Sequence, residues 1–169
     1  MDLTQNEFIE VADAGRKGKG VSAKVNIPLG TRVMSEPALI ELQLDDNGGF
    51  TSMQILQAFA LLTPSQQVSF LELSGFGCPA LKASVSEEFQ NIWENIPELQ
   101  RDVISIFRKN TFDGMLFLTG SRINHSCIPN LIFAYNPIIG KETFHAIRDI
   151  AAGEELTIMY IDGVNRPRK

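Results

Sequence analysis

Ser121-Arg122-Ile123-Asn124-His125-Ser126-Cys127-Ile128-Pro129-Asn130 crowds six hydrogen-bonding side chains into ten residues and gives way at once to an apolar run, Leu131 to Tyr135. Polar groups at this density are rare in a simple connector. Asn, Ser and His do tie down their own loop backbone through local hydrogen bonds, so on polarity alone a structural and a functional reading stand level. The run behind the loop has the length and composition of a short strand, and Thr143 to Ile147 and Leu156 to Ile161 repeat that pattern towards the C-terminus. In the other direction, Met115 to Leu118 is a further strand after Gly114.

Before Gly114 the signals are helical. Thr51 to Gln54 has capping-box spacing ahead of Ile55, Leu56, Phe59 and Leu62, and Thr63-Pro64-Ser65-Gln66 repeats the box with proline at the first helical position. Ser84 to Glu87 offers a third start before Phe89, Ile92 and Trp93; Pro97 closes that helix, and Leu99, Val103, Ile106 and Phe107 mark a fourth. Asp45-Asp46-Asn47-Gly48-Gly49 is the loop that opens this block. Ahead of it, Phe8 to Val11, Val21 to Ile27, Thr31 to Met34 and Ala38 to Leu44 read as short strands, the last alternating Ile40, Leu42 and Leu44 against Glu41 and Gln43. Strands, a helical block and strands again predict an α+β fold, one domain over 1–169 with a helical insertion over 51–110. No βαβ alternation points to a doubly wound nucleotide fold.

Composition narrows the function. Hydrophobic residues make up 44% and charged residues 21% of the chain, values of an ordinary globular protein rather than a disordered one. A formal charge of -5, from 20 acidic and 15 basic residues, leaves no excess of positive charge for phosphates, which argues against direct nucleic-acid binding. Met1 to Glu10 holds three acidic residues and no apolar core, which excludes a secretory signal, and no run approaches a membrane span. The expectation is an intracellular protein of nucleus or cytoplasm. Cys78 and Cys127 lie far apart without zinc-ligand spacing, so no metal site is expected.

Three more segments need a chemical reading. Gly15-Arg16-Lys17-Gly18-Lys19-Gly20 sits between the first two strands, where a lone glycine-rich stretch is usually only a turn. Arg148-Asp149-Ile150-Ala151-Ala152-Gly153-Glu154-Glu155-Leu156-Thr157-Ile158-Met159-Tyr160 is a polar glycine turn entering an apolar strand that ends in tyrosine, a residue that at a strand end is commonly packing. Asn110-Thr111-Phe112 has the look of a plain helix terminus. His125, Ser126 and Cys127 side by side suggest a nucleophile and base, but neighbours in an extended loop point apart, which disfavours hydrolase chemistry.

Together and in order, these segments resemble the SET-domain family of protein lysine methyltransferases. Gly18-Lys19-Gly20 with Pro28-Leu29-Gly30-Thr31 is similar to the family's opening motif. Asn124-His125-Ser126-Cys127 with Pro129-Asn130 resembles its central one, and Gly153-Glu154-Glu155-Leu156-Thr157 with Tyr160-Ile161-Asp162 its closing one. The nearest likeness is to the SET-and-MYND subgroup and small fungal SET proteins, without the MYND finger.

The resemblance implies a SET-domain fold, S-adenosylmethionine as cofactor, and as substrate a protein with an accessible lysine, a histone among the candidates. Residue by residue it assigns Lys17, Lys19, Asn110, Ser121, Ile123, Asn124 and His125 to the cofactor and Tyr160 to catalysis, where its hydroxyl would orient the lysine amine. Phe144 and Tyr135 are candidate channel walls, although strand aromatics are more often core. Cys127 is expected to be a small buried hydrophobe. The family commonly ends in a cysteine-rich cover after the tyrosine strand, and here the sequence stops at Lys169. A SET-fold interaction module without catalysis is the alternative; the sequence does not specify an oligomeric state.

Overall fold

The computed structural model describes residues 6–46, 49–75 and 93–160. In chain order the elements are β1 (Ile9–Asp13), β2 (Lys19–Ala23), β3 (Arg32–Glu36), β4 (Ile40–Glu41), α1 (Ser52–Ala60), α2 (Pro64–Leu71), α3 (Glu98–Asn110), β5 (Thr111–Phe112), β6 (Met115–Leu116), β7 (Asn124–His125), β8 (Leu131–Asn136), β9 (Lys141–Ala146) and β10 (Glu155–Ile158). Short strands with helices between the fourth and fifth give the α+β class read from the sequence. The helix start at Ser84 to Glu87 lies outside the described residues.

The chain divides into two compact units, one formed by Met1–Pro37 with Arg122–Lys169, the other by Ala38–Ser121. In the first, one sheet has the order β1-β2-β10-β7, with antiparallel pairs except for β10 and β7, which run parallel. A second sheet has the order β3-β9-β8, all antiparallel. Parallel pairing needs a long connection between its strands. Here the connection from β7 to β10 is the β8/β9 hairpin and its flanking loops, which is how residues thirty positions apart meet side by side. Val21, Leu156 and Ile158 are buried, so the centre of the first sheet is anchored on its apolar side chains.

The second unit is built on α3. Its apolar spacing buries Val103, Ile104, Ile106 and Phe107, against which Ile55 and Phe59 of α1 and Phe70 of α2 pack. Both capping boxes form as the sequence predicts. Thr51 Oγ1 accepts from the Gln54 N–H at 3.3 Å and Thr63 Oγ1 from the Gln66 N–H at 3.4 Å, while each glutamine side chain accepts from the threonine N–H. Two orphan donors per helix are thereby satisfied. The unit also holds the small sheet β4-β6-β5.

The run Ala38 to Leu44 forms less strand than its alternation suggests. Only Ile40–Glu41 pairs, on Leu116 and Met115; Leu42 is buried but Leu44 is exposed. β6 is itself two residues long, and past it the Leu42 N–H bonds the Gly114 carbonyl of the preceding turn at 2.9 Å.

Candidate active site

Gly20 lies on β2, and a Cβ built there would fall 2.9 Å from Asn124 Nδ2, 3.0 Å from Ala14 Cβ and 3.2 Å from Glu155 Oε1. Glycine is what lets an amide and a carboxylate approach this strand. The turn before it is a single 3-10 turn, Gly15–Lys17, closed by Ala14 N–H on the Gly18 carbonyl at 2.7 Å, with Gly18 at φ +81°. That turn carries Lys17 back over the sheet, where its Nζ donates to Glu155 Oε2 at 2.8 Å.

Glu155 opens β10. Its other oxygen, Oε1, accepts from Asn124 Nδ2 at 2.8 Å across the parallel β7/β10 pair. Burial pushes this carboxyl up, but hydrogen bonds from Lys17 and Asn124 and the Lys17 charge outweigh it, and the net shift is below the usual carboxylate range. Asn124 Oδ1, by contrast, has no hydrogen-bond partner among the described residues.

Past the end of β10 the chain doubles back on β7. The Tyr160 N–H donates to His125 Nδ1 at 3.1 Å, its hydroxyl donates to the Ile123 carbonyl at 2.7 Å, and the two rings lie 5.4 Å apart. Desolvation, then the Glu155 charge, pushes the phenol pKa up, so at neutral pH Tyr160 stays protonated and acts as a donor. Because His125 Nδ1 accepts, the neutral imidazole carries its proton on Nε2. That nitrogen lies 3.4 Å from Cys127 Sγ.

Two sequence readings are corrected here. Cys127 is exposed, not buried. Ser126 Oγ donates to the Ile128 carbonyl and accepts the Ile128 N–H, a local turn that holds Cys127 at the surface. His125 is also closer to a nucleophile than neighbouring positions suggested, since residues two apart on an extended segment return to one side. With Nδ1 accepting from the Tyr160 N–H, Nε2 of the neutral ring is a donor, which disfavours it as a base for the Cys127 thiol. Phe144 belongs to the core, fully buried with its ring 6.0 Å from Phe133, while Tyr135 is exposed.

The first unit therefore brings together Lys17, Ile123, Asn124, His125 and Tyr160. Lys19 starts β2 as an exposed residue whose ammonium has no partner among the described residues. Asn110 and Ser121 belong to the second unit. Asn110 Nδ2 caps the end of α3 by donating to the carbonyls of Ile106 and Ser74, at 2.7 and 2.8 Å, and Ser121 Oγ donates to the Asn110 carbonyl at 2.9 Å. Sequence reasoning missed Glu155. It stands within the closing motif, but nothing in the sequence separates it from Glu154, whose work is different.

Glu154 braces the turn into β10. It accepts from Arg148 Nη2, from the Ala151 N–H at 3.1 Å and from Asn130 Nδ2 at 3.2 Å, while buried Asn130 also reaches the Glu155 carbonyl at 2.8 Å and the Thr157 N–H at 2.8 Å. The Arg148 hydrogen bond, against some opposing burial and with help from Ala151, Asn130 and the Arg148 charge, lowers the Glu154 carboxyl to about 2. Among the described residues, no three His, Cys, Asp or Glu side chains gather as a metal-ligand set, and no helix is long and apolar enough to cross a membrane.

Known proteins resemble this chain over most of its length. Histone-lysine N-methyltransferase set5 of Schizosaccharomyces pombe is 33% identical over 167 residues, covering 96% of this chain and 44% of that protein. A SET domain-containing protein of Acanthamoeba polyphaga mimivirus is 26% identical over 168 residues, 87% of this chain and 64% of its own length. Histone-lysine N-methyltransferase SET5 of Scheffersomyces stipitis is 38% identical over 61 residues, 36% of this chain and 13% of that protein. The chain thus spans less than two thirds of the relatives it matches. The SET domain pattern itself matches residues 18–161, from the glycine turn through both compact units to just past Tyr160, and the chain belongs to the SET domain family.

Proposed function

We propose that this chain carries S-adenosylmethionine-dependent methyl transfer to lysine side chains of proteins, with a histone among its candidate substrates and the nucleus or cytoplasm as its place of work. One observation carries the reading. Lys17, Asn124, His125 and Tyr160 come from three distant stretches and gather on the parallel β7/β10 pair, and these are positions that the family likeness assigns to cofactor and to transfer. Similarity across nearly the whole chain to a protein named histone-lysine N-methyltransferase supports the same reaction class.

The residues fit such a cofactor chemically. Lys17 and Lys19 are cations suited to its carboxylate, Asn124 Oδ1 is an open acceptor, and Gly20 makes room for the Asn124 amide and the Glu155 carboxylate that orient this group. Lys17, Lys19, Ile123, Asn124 and His125 would hold it, and the family likeness adds Asn110 and Ser121. When bound, the cofactor supplies an electrophilic methyl group on a sulfonium.

The remaining work belongs to the chain. An attacking lysine must be neutral, and holding an unperturbed lysine neutral at pH 7 costs on the order of 4 to 5 kcal/mol. Desolvation and a neighbouring positive charge both lower that cost, so no strong base is required. Tyr160 is not that base, because its pKa is raised and its proton is committed to the Ile123 carbonyl. Its oxygen keeps lone pairs, which can accept an amine N–H and aim the nitrogen.

Calorimetric titration with S-adenosylmethionine tests the assignment. Saturable binding is expected in the parent, with Asn124→Ala weakening it by about 1 to 3 kcal/mol. Unchanged affinity in a folded Asn124→Ala protein removes Asn124 from the site.

A further inference from the structure

We infer that Glu155 is a positioning residue: it fixes which end of the Asn124 amide faces the site and holds the Lys17 ammonium over the same sheet. Its two oxygens are divided between the two partners, Oε1 on Asn124 Nδ2 and Oε2 on Lys17 Nζ, each at 2.8 Å. An asparagine amide has a donor end and an acceptor end of nearly the same shape, and only its neighbours decide which way it turns. A carboxylate only accepts, so the NH2 of Asn124 must face Glu155 and Oδ1 must face away. Asn124 is thereby presented to a ligand as an acceptor. Gly20 makes the arrangement possible, because a Cβ there would lie 2.9 Å from the amide nitrogen and 3.2 Å from the carboxylate. Glu155 lies in the same sheet as Asn124, while Lys17 ends the 3-10 turn that leads into β2, so a single group links the glycine turn, β7 and β10.

This inference rests on the cofactor reading above only for its consequence, the sense in which Asn124 meets a ligand. Its test therefore has one readout that needs no ligand. In the parent protein, the Asn124 side-chain amide protons should exchange with water at least tenfold more slowly than those of exposed Asn26, and that protection should drop in Glu155→Ala. The second readout swaps the pair. Asn124→Asp alone sets two carboxylates against each other and should lower the melting temperature. The double variant Asn124→Asp/Glu155→Gln restores a hydrogen bond in the reverse sense and should recover much of that melting temperature. Its affinity for S-adenosylmethionine should nevertheless stay at least tenfold below the parent's, since position 124 then carries the charge and Lys17 faces a neutral amide oxygen in place of a carboxylate. A merely structural pair would regain affinity together with stability, and that result overturns the inference, as does an Asn124 amide exchanging as fast as Asn26. A parent with no affinity for S-adenosylmethionine counts against the cofactor reading instead, and the exchange measurement then decides the role of Glu155.

Discussion

The Tyr160 hydroxyl has a partner inside the protein, the Ile123 carbonyl, so Tyr160→Phe does more than remove a contact to substrate. A part-buried carbonyl loses its donor, which should cost about 0.5 to 1.5 kcal/mol of stability, more than a packing view of a strand-end ring would give. If the same oxygen aims the lysine amine in the transition state, methyl transfer should fall roughly ten- to a thousandfold, a barrier rise of about 1.4 to 4 kcal/mol, at nearly unchanged cofactor affinity. Single-turnover rates beside calorimetry read both; a parental rate in the variant would remove Tyr160 from catalysis. Gly20→Ala is the complementary change. The added methyl meets Ala14 Cβ at 3.0 Å as well as the Asn124 amide, and the first cannot swing away. A loss of about 1 to 3 kcal/mol on denaturation is expected, with weakened cofactor binding. At this scale the sequence was informative through its motifs, since the central and closing motifs meet where Tyr160 lies against His125, the neighbour of Asn124. It could not show Glu155 on Asn124, because that bond depends on a parallel register between residues 31 apart.

Elements with strong local signals form where the sequence places them. Thr51 and Thr63 cap α1 and α2, and either threonine changed to Ala should cost about 0.5 to 2 kcal/mol in a urea melt, while a change within error would mean that packing alone sets the helix start. β5 and β7 were not legible, because two-residue strands have no periodicity to read and exist only through their partners. The turn into β10 makes a pH prediction. Glu154 titrates at about 2 in the fold, below its ordinary value of 4.5, so the folded state favours its charged form. Its stabilising contribution is complete above about pH 4.5 and is lost as pH falls towards 2. Glu154→Gln should accordingly be less stable than the parent at pH 6, with the gap closing on acidification. A gap that is constant with pH would mean that the Arg148 and Asn130 contacts do not favour the carboxylate.

Over the whole molecule, the succession of strands, helices and strands gave the α+β class, and the order of three motifs gave the family. The helices α1, α2 and α3 fall in a unit that also takes in β4, β5 and β6, because those short strands pair with one another and α1 packs beside β4. A helical periodicity cannot reveal that. The central claim is that this chain moves a methyl group from S-adenosylmethionine to lysine. Mass spectrometry of core histones incubated with the protein and S-adenosylmethionine bearing a deuterated methyl group tests it most directly. The account predicts labelled methyl on lysine nitrogen, strongly reduced with Tyr160→Phe. Histones that stay unlabelled in the presence of folded, cofactor-saturated protein, with total cell protein unlabelled as well, would contradict it.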